Sequence, residues 1–176
     1  MKVFIRDILL TLLLTVVVFF VVQNTIQVSI VSGSSMEPEL RSGQRLIVNK
    51  VAYYVGDPKR GDIIIFRPPL NPKSIPYIKR VVGLPGETVE IKMGVVYIND
   101  LPLIEPYVRE LARYSVPQEK IPSEHYFVLG DNRNNTNDSH IWGTVPRENI
   151  IGKASLSIWP PEQWGLAPNY IFNEAP

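Results

Sequence analysis

The sequence predicts a mainly β domain of antiparallel sheets behind one N-terminal transmembrane helix, and three observations predict it. An apolar run of membrane length, uncharged over residues 8–27, stands near the N-terminus. Beyond it the apolar residues come in short Val, Ile and aromatic runs bounded by Gly, Pro and Asn. The 16 prolines and 11 glycines are spread along the 176 residues, which suits short strands joined by many turns better than helices.

The first element follows from length. A hydrocarbon core of about 30 Å needs roughly 20 helical residues at about 1.5 Å each. Residues 8–27 meet that only by including Gln23, Asn24 and Thr25, so the span is single and slightly short. Lys2 and Arg6 precede it, and the next basic residue is Arg41. The positive-inside rule therefore puts residues 1–7 in the cytoplasm and residues 28–176 on the other side of the membrane. The competing reading is a cleaved secretory leader. The best small-residue pair, Ser32 and Ser34, lies well past the apolar run and behind a bulky, largely β-branched stretch, which favours a retained anchor.

Strands are expected over 45–51, 62–67, 77–82, 88–91, 95–98, 125–129 and 150–159. Leu84-Pro85-Gly86 carries the type II turn signature, and Ile98-Asn99-Asp100-Leu101 reads as a tight hairpin connection. Residues 105–114 form the one soluble helix expected, a weak one, and the Pro-rich tail after Trp159 is expected to lie over the surface or loose. Without the anchor the chain is long enough for one domain with its own core. A net charge of +1 with no basic cluster argues against a nucleic-acid partner. The absence of cysteine excludes a disulfide framework, a thiolate metal site and a cysteine nucleophile.

Ser35 lies in Ser32-Gly33-Ser34-Ser35-Met36-Glu37-Pro38, just past the anchor, so any chemistry of its hydroxyl would occur at the bilayer surface. A serine nucleophile needs a base. The two histidines are His125, which opens an apolar strand, and His140, which sits in Asn137-Asp138-Ser139-His140. Adjacent side chains of extended chain point to opposite faces, so that local Ser, His and Asp set does not form a triad by itself. Lys79 is the stronger candidate. In Tyr77-Ile78-Lys79-Arg80-Val81-Val82 two cations share an otherwise apolar strand, so a core on either face buries one of them. Arginine keeps its proton in a protein, whereas a desolvated lysine can release it. Both residues would equally serve as edge-strand charges that block aggregation, and composition leaves the two readings open.

A third segment, Gly130-Asp131-Asn132-Arg133-Asn134-Asn135-Thr136-Asn137-Asp138-Ser139, is dense in acceptors and turn formers; alone it reads as an exposed Asx-rich loop. Together and in this order, the three segments closely resemble the bacterial type I signal peptidases, membrane-anchored serine–lysine proteases. The first matches that family's Gly-x-Ser-Met-x-Pro box through Gly33, Ser35, Met36 and Pro38. The second matches its Tyr-Ile-Lys-Arg-x-x-Gly-x-Pro-Gly-Glu box through Tyr77, Ile78, Lys79, Arg80, Gly83, Pro85, Gly86 and Glu87. The third matches its Asp-Asn-Arg box almost throughout, and Arg60-Gly61-Asp62 fits a fourth box.

The resemblance implies antiparallel sheets of the signal-peptidase type, in the compact form without a large inserted second domain. It implies Ser35 as nucleophile and Lys79 as general base, with Thr136, Asp138, Arg80 and Arg133 in support. Val31, Met36, Leu40, Ile65, Tyr77 and Ile78 become the expected walls of shallow pockets for small side chains. No cofactor and no metal are implied. The implied partners are preproteins carrying signal peptides and the lipid bilayer, with the chain acting as a monomer on the extracytoplasmic or thylakoid-lumen side. Asp138 is expected to pair with Arg80 or Arg133, and Thr136 to hydrogen-bond the lysine. Three departures stand out. Gly33 occupies a position where some members carry a hydroxyl toward the oxyanion, Glu39 replaces a usual Thr, and His140 replaces the usual Arg. A self-cleaving serine–lysine repressor is disfavoured by the anchor, and an inert membrane-anchored binding module is distinguished by whether an Ala-x-Ala peptide is cut.

Overall fold

The computed structural model describes residues 2–172. The first element, α1 (Lys2–Thr25), contains an apolar span over Phe4–Thr25 with mean hydropathy 2.5 and none of that stretch buried by the rest of the protein. At about 1.5 Å per residue, 22 residues reach across a core of about 30 Å. The helix begins earlier than the expected 8–27 and ends two residues sooner. Ile26 and Gln27 already belong to β1 (Ile26–Ile30), where β-branched side chains and pairing with a neighbouring strand favour extended chain. The side chain of Lys2, used in the orientation argument, lies outside the described residues, as do residues 173–176 of the tail.

The remaining strands are β2 (Arg45–Asn49), β3 (Ile63–Phe66), β4 (Tyr77–Gly83), β5 (Thr88–Lys92), β6 (Val95–Ile98), β7 (Leu101–Pro102), β8 (Val116–Lys120), β9 (His125–Leu129), β10 (Val145–Pro146), β11 (Ile150–Trp159) and β12 (Gly165–Leu166). All seven expected strands are present within a few residues; β1, β8 and the two-residue strands were not anticipated. One sheet runs β1-β2-β11-β3-β4-β9-β10 with β12 added to β11, and a smaller one runs β7-β6-β5-β8. Every pairing is antiparallel.

The expected turns form. Gly86 has φ +84° and the Glu87 N–H returns to the Leu84 carbonyl at 3.2 Å, the type II arrangement that needs glycine third. Asn99 and Asp100 both take positive φ, as a two-residue hairpin demands. Residues 105–114 are not helical but a chain of turns and bends. Their side chains are engaged in tertiary contacts instead: Glu105 with Arg133, and Tyr107 against Arg80. Besides α1, the described α-helices are single turns, α2 (Ala52–Val55) and α3 (Ser139–Trp142).

The tail is not loose up to Phe172. Its β12 pairs with β11, Ala167 is buried, and the Asn169 amide accepts from the Ile63 N–H at 2.7 Å and donates to the Ala154 carbonyl at 2.8 Å. Strand β4 lies between β3 and β9 and is buried on both faces from Ile78 to Gly83. That position rejects the edge-strand reading of Lys79 and Arg80 and encloses both cations.

Candidate active site

Ser35 is held from two directions. The chain after it turns once, with the Leu40 N–H on the Met36 carbonyl at 2.8 Å, and buries Met36 and Leu40 in a core with Leu46, Val48, Ile63 and Ile65. From the other side comes the loop that follows β9. The Asn132 N–H donates to the Ser35 carbonyl at 3.0 Å, Asn132 Nδ2 to the Ser34 carbonyl at 3.2 Å, and Asn135 Nδ2 to Ser34 Oγ at 2.9 Å. This approach requires glycine at 130. A Cβ there would lie 2.5 Å from the Ser35 carbonyl oxygen and would overlap the Thr136 hydroxyl.

Strand β4 delivers Lys79 into this turn, with Lys79 Nζ 2.6 Å from Ser35 Oγ. Lys79 is only 5% exposed. Burial lowers its pKa from 10.5 to about 8, opposed by the negative charges of Asp138 and Asp131. A neutral amine is thus within reach near physiological pH. The amine can take the proton of the hydroxyl it touches. Both residues open on a cavity of about 680 Å³ whose walls include Val31, Met36, Tyr77 and Ile78, with Thr136 and Asn135 on the loop side. Leu40 and Ile65, expected in those walls, are fully buried in the core behind them and do not line the cavity.

Arg80, on the opposite face of β4, is completely buried. It makes a two-pronged pair with Asp131 at 2.8 and 2.7 Å, donates to the Gly61 and Pro168 carbonyls at 2.9 Å each, and lies 4.0 Å from the Tyr107 ring. Arg133 forks onto Glu105 at 2.8 and 2.5 Å. The expectation that Asp138 pairs with one of these arginines is therefore incorrect. Each guanidinium is matched to another carboxylate with bidentate geometry, which a planar fork favours over a single contact. Asp138 is nevertheless buried and satisfied: its Oδ2 accepts the Gly130 N–H at 2.8 Å, and its Oδ1 meets His140 Nδ1 at 2.6 Å. The expected bond from Thr136 to the lysine is also not formed. The Thr136 hydroxyl is buried without a hydrogen-bond partner among the described residues, pressed over Gly130.

His140 is occupied by Asp138 and stacked on the Tyr114 ring at 3.8 Å, and His125 Nδ1 lies 2.9 Å from the Ser123 carbonyl, so both imidazoles are engaged elsewhere while Lys79 meets Ser35. The fourth box has a structural reason. Arg60 clamps Glu87 at 3.0 and 2.5 Å, and Glu87 caps the Leu84 N–H, fixing the turn that ends β4. Asp62 takes Lys153 at 2.5 Å and the Tyr53 hydroxyl at 3.0 Å. Sequence reasoning missed Asp131 as the partner of Arg80, Glu105 as that of Arg133, and Asn132 and Asn135 as the ties to Ser35. Only the acceptor density of 130–139 hinted at the last two.

Known proteins match this arrangement. Residues 4–159 fit the family model described as signal peptidase, peptidase S26. The chain is 48% identical over 141 residues to a signal peptidase I of Leptolyngbya laminosa, covering 77% of this chain and 70% of that protein. It is 44% identical over 148 residues to a probable signal peptidase I-1 of Synechocystis sp., covering 81% and 76%. A crystal structure of a signal peptidase I from Enterococcus faecalis V583 superposes with a TM-score of 0.51 at 33% identity, over 56% of this chain and 97% of that one. With the model match spanning both the Ser35 turn and the 130–139 loop, the chain belongs to the signal peptidase family, peptidase S26, as a serine endopeptidase of the type I signal peptidases.

Proposed function

We propose that this protein removes N-terminal signal peptides from exported preproteins after small residues, with Ser35 as nucleophile and Lys79 as general base. The observation that carries the residue assignment is the 2.6 Å contact between Lys79 Nζ and Ser35 Oγ within a buried strand. Neutral Lys79 takes the hydroxyl proton as Ser35 Oγ attacks the scissile carbonyl carbon. The negative charge that develops on the carbonyl oxygen faces the Ser35 backbone N–H, which has no acceptor among the described residues. Collapse breaks the peptide bond, and the lysine returns the proton to the departing amine. The resulting ester is hydrolysed by water that gives its proton to the same lysine. Asp138 holds the loop beside the lysine through the Gly130 N–H, Thr136 lines the cavity on that side, and Arg80 and Arg133 hold the strand and loop in place.

Val31, Met36, Tyr77 and Ile78 form apolar walls that favour small neutral side chains one and three residues before the cut, and Leu40 and Ile65 back them. The span over Phe4–Thr25 anchors the protein in the bilayer as a monomer, with the short N-terminus cytoplasmic and the β domain extracytoplasmic or in a thylakoid lumen. A retained anchor fits the fold. Cleavage near Ser32–Ser34 would remove β1, a strand of the main sheet, together with the Val31 wall. The test is cleavage of a preprotein bearing Ala-x-Ala before its mature N-terminus by the full-length protein in detergent. Cutting after the second alanine supports the reading; no cutting of such substrates overturns it.

A further inference from the structure

The position two residues before Ser35 supplies no side chain to the reaction. Gly33 has φ +82°, a left-handed conformation that favours glycine, so the turn into Ser35 commits that position to the backbone. The tetrahedral oxygen formed when Ser35 attacks carries a full negative charge, and the Ser35 N–H satisfies only one of its lone pairs. Three aliphatic hydroxyls besides that of Ser35 lie along the cavity wall, on Ser32, Ser34 and Thr136. Ser32 is exposed and three residues back, and the Thr136 hydroxyl is buried over Gly130. Ser34 is different. Its Oγ is four covalent bonds from the Ser35 nitrogen, which keeps the two atoms within about 5 Å in any rotamer. One oxygen lying about 2.9 Å from each can accept from both.

Ser34 is also held in place. Its carbonyl accepts from Asn132 Nδ2 at 3.2 Å and from the Glu37 N–H at 3.1 Å, and its Oγ accepts from Asn135 Nδ2 at 2.9 Å. An amide nitrogen only donates, so Ser34 Oγ uses a lone pair in that bond and keeps its own hydrogen. That hydrogen has no acceptor among the described residues. With a lone pair committed to Asn135, it is left for an acceptor arriving in the cavity that Ser34 shares with Ser35 and Lys79.

We propose that the Ser34 hydroxyl is the second donor to the oxyanion, beside the Ser35 N–H, and that Asn135 is a positioning residue that keeps the Ser34 hydrogen available. This rests on Ser35 acting as the nucleophile. As the bond from Ser35 Oγ to the carbonyl carbon forms, the carbonyl electron pair moves onto oxygen and the Ser35 proton passes to Lys79; Ser34 donates a hydrogen bond and transfers no proton. The substrate oxygen is nearly neutral, so this bond strengthens only as the charge develops. Its loss therefore falls on kcat rather than on KM.

The experiment measures kcat, KM and melting temperature for the full-length protein in detergent, with a preprotein bearing Ala-x-Ala as substrate. It compares wild type with Ser34→Ala, Ser34→Thr, Asn135→Ala, Asn135→Asp and Ser35→Ala. Ser34→Ala is expected to lower kcat by about a hundredfold with KM unchanged, and Ser34→Thr, which keeps a hydroxyl, to retain most of the rate. Asn135→Ala leaves the hydroxyl present but unaimed, so its loss is smaller than that of Ser34→Ala. Asn135→Asp is expected to be worse than Asn135→Ala, because a carboxylate only accepts and takes the Ser34 hydrogen for itself. A hydroxyl that merely ties the 130–139 loop to the Ser35 turn predicts otherwise: Ser34→Ala and Asn135→Ala break the same bond, and equal losses in the two overturn the proposal. Wild-type kcat in Ser34→Ala also overturns it. An active Ser35→Ala instead overturns the nucleophile reading beneath it. Should Ser34→Ala not fold, the two Asn135 variants decide the question, and Asn135→Asp no worse than Asn135→Ala counts against the assignment.

Discussion

Lys79 Nζ and Ser35 Oγ, 44 positions apart in the chain, lie 2.6 Å from each other. The lysine comes from a strand with neighbours on both edges, and the serine from a turn pinned by the 130–139 loop. Their contact is thus a product of the whole sheet. Ser35→Ala and Lys79→Ala are each expected to abolish cleavage while leaving the fold intact, and Lys79→Arg is expected not to rescue, because arginine cannot accept the proton. The double variant should be no worse than either single one, since the two act as a unit. Preprotein cleavage and circular dichroism on the four variants check this; substantial activity in either alanine variant refutes the assignment.

Burial lowers the Lys79 pKa from 10.5 to about 8, and that direction fixes two slopes. Cleavage rate should rise with pH through about 8 as the lysine becomes neutral, above the range of an ordinary histidine. Stability carries the same sign. Below about 8 the folded protein holds a charged amine in an apolar site, a cost of about 3 kcal/mol that disappears as pH rises toward 10.5. Lys79→Met should therefore raise the melting temperature at neutral pH, with a gain that vanishes above about pH 10.5. A melting temperature that falls at pH 7 would contradict the burial argument.

Arg80 and Asp131 form an ion pair with neither side chain exposed. Losing one partner strands the other charge, at about 3–5 kcal/mol. Asp131→Ala should lower the melting temperature by roughly 10 °C in a chain of this size. Arg80→Lys should recover little, because one ammonium cannot replace the fork onto Asp131 and the bonds to Gly61 and Pro168. Thermal melts of the three proteins test it.

Asp138→Ala should reduce both activity and melting temperature. It releases the buried Gly130 N–H at the point where the loop meets Ser35, and it also removes the partner of His140. Asp138 was expected on an arginine; since it takes His140 instead, the effect of His140→Ala should lie close to that of Asp138→Ala. Near-wild-type activity in His140→Ala would refute this.

Asn169→Ala tests the tail. The Ile63 N–H lies next to Asp62 at the start of β3, and without its acceptor the loss should be about 1–3 kcal/mol. Denaturant midpoints should show the loss, with the acidic limb of the rate profile left in place.

The sequence by itself determined the long apolar N-terminal helix, the main strands, the two left-handed turns and the Ser35–Lys79 pairing. These follow from local propensity, from apolar runs that must be covered, and from motifs that name residue types in order. It did not determine which carboxylate each arginine takes. Asp131, Asp138 and Glu105 were all available to Arg80 and Arg133 by composition, and the choice depends on where loop segments 51 or 28 positions away are laid down. The same limit explains the segment 105–114, which reads as a helix until its side chains are drawn to Arg80 and Arg133, and the tail, whose hold depends on bonds to β3 and β11. Only the tertiary structure settled these, because a buried charge is stabilised by whichever partner geometry brings within reach, and reach is a property of the packed sheet.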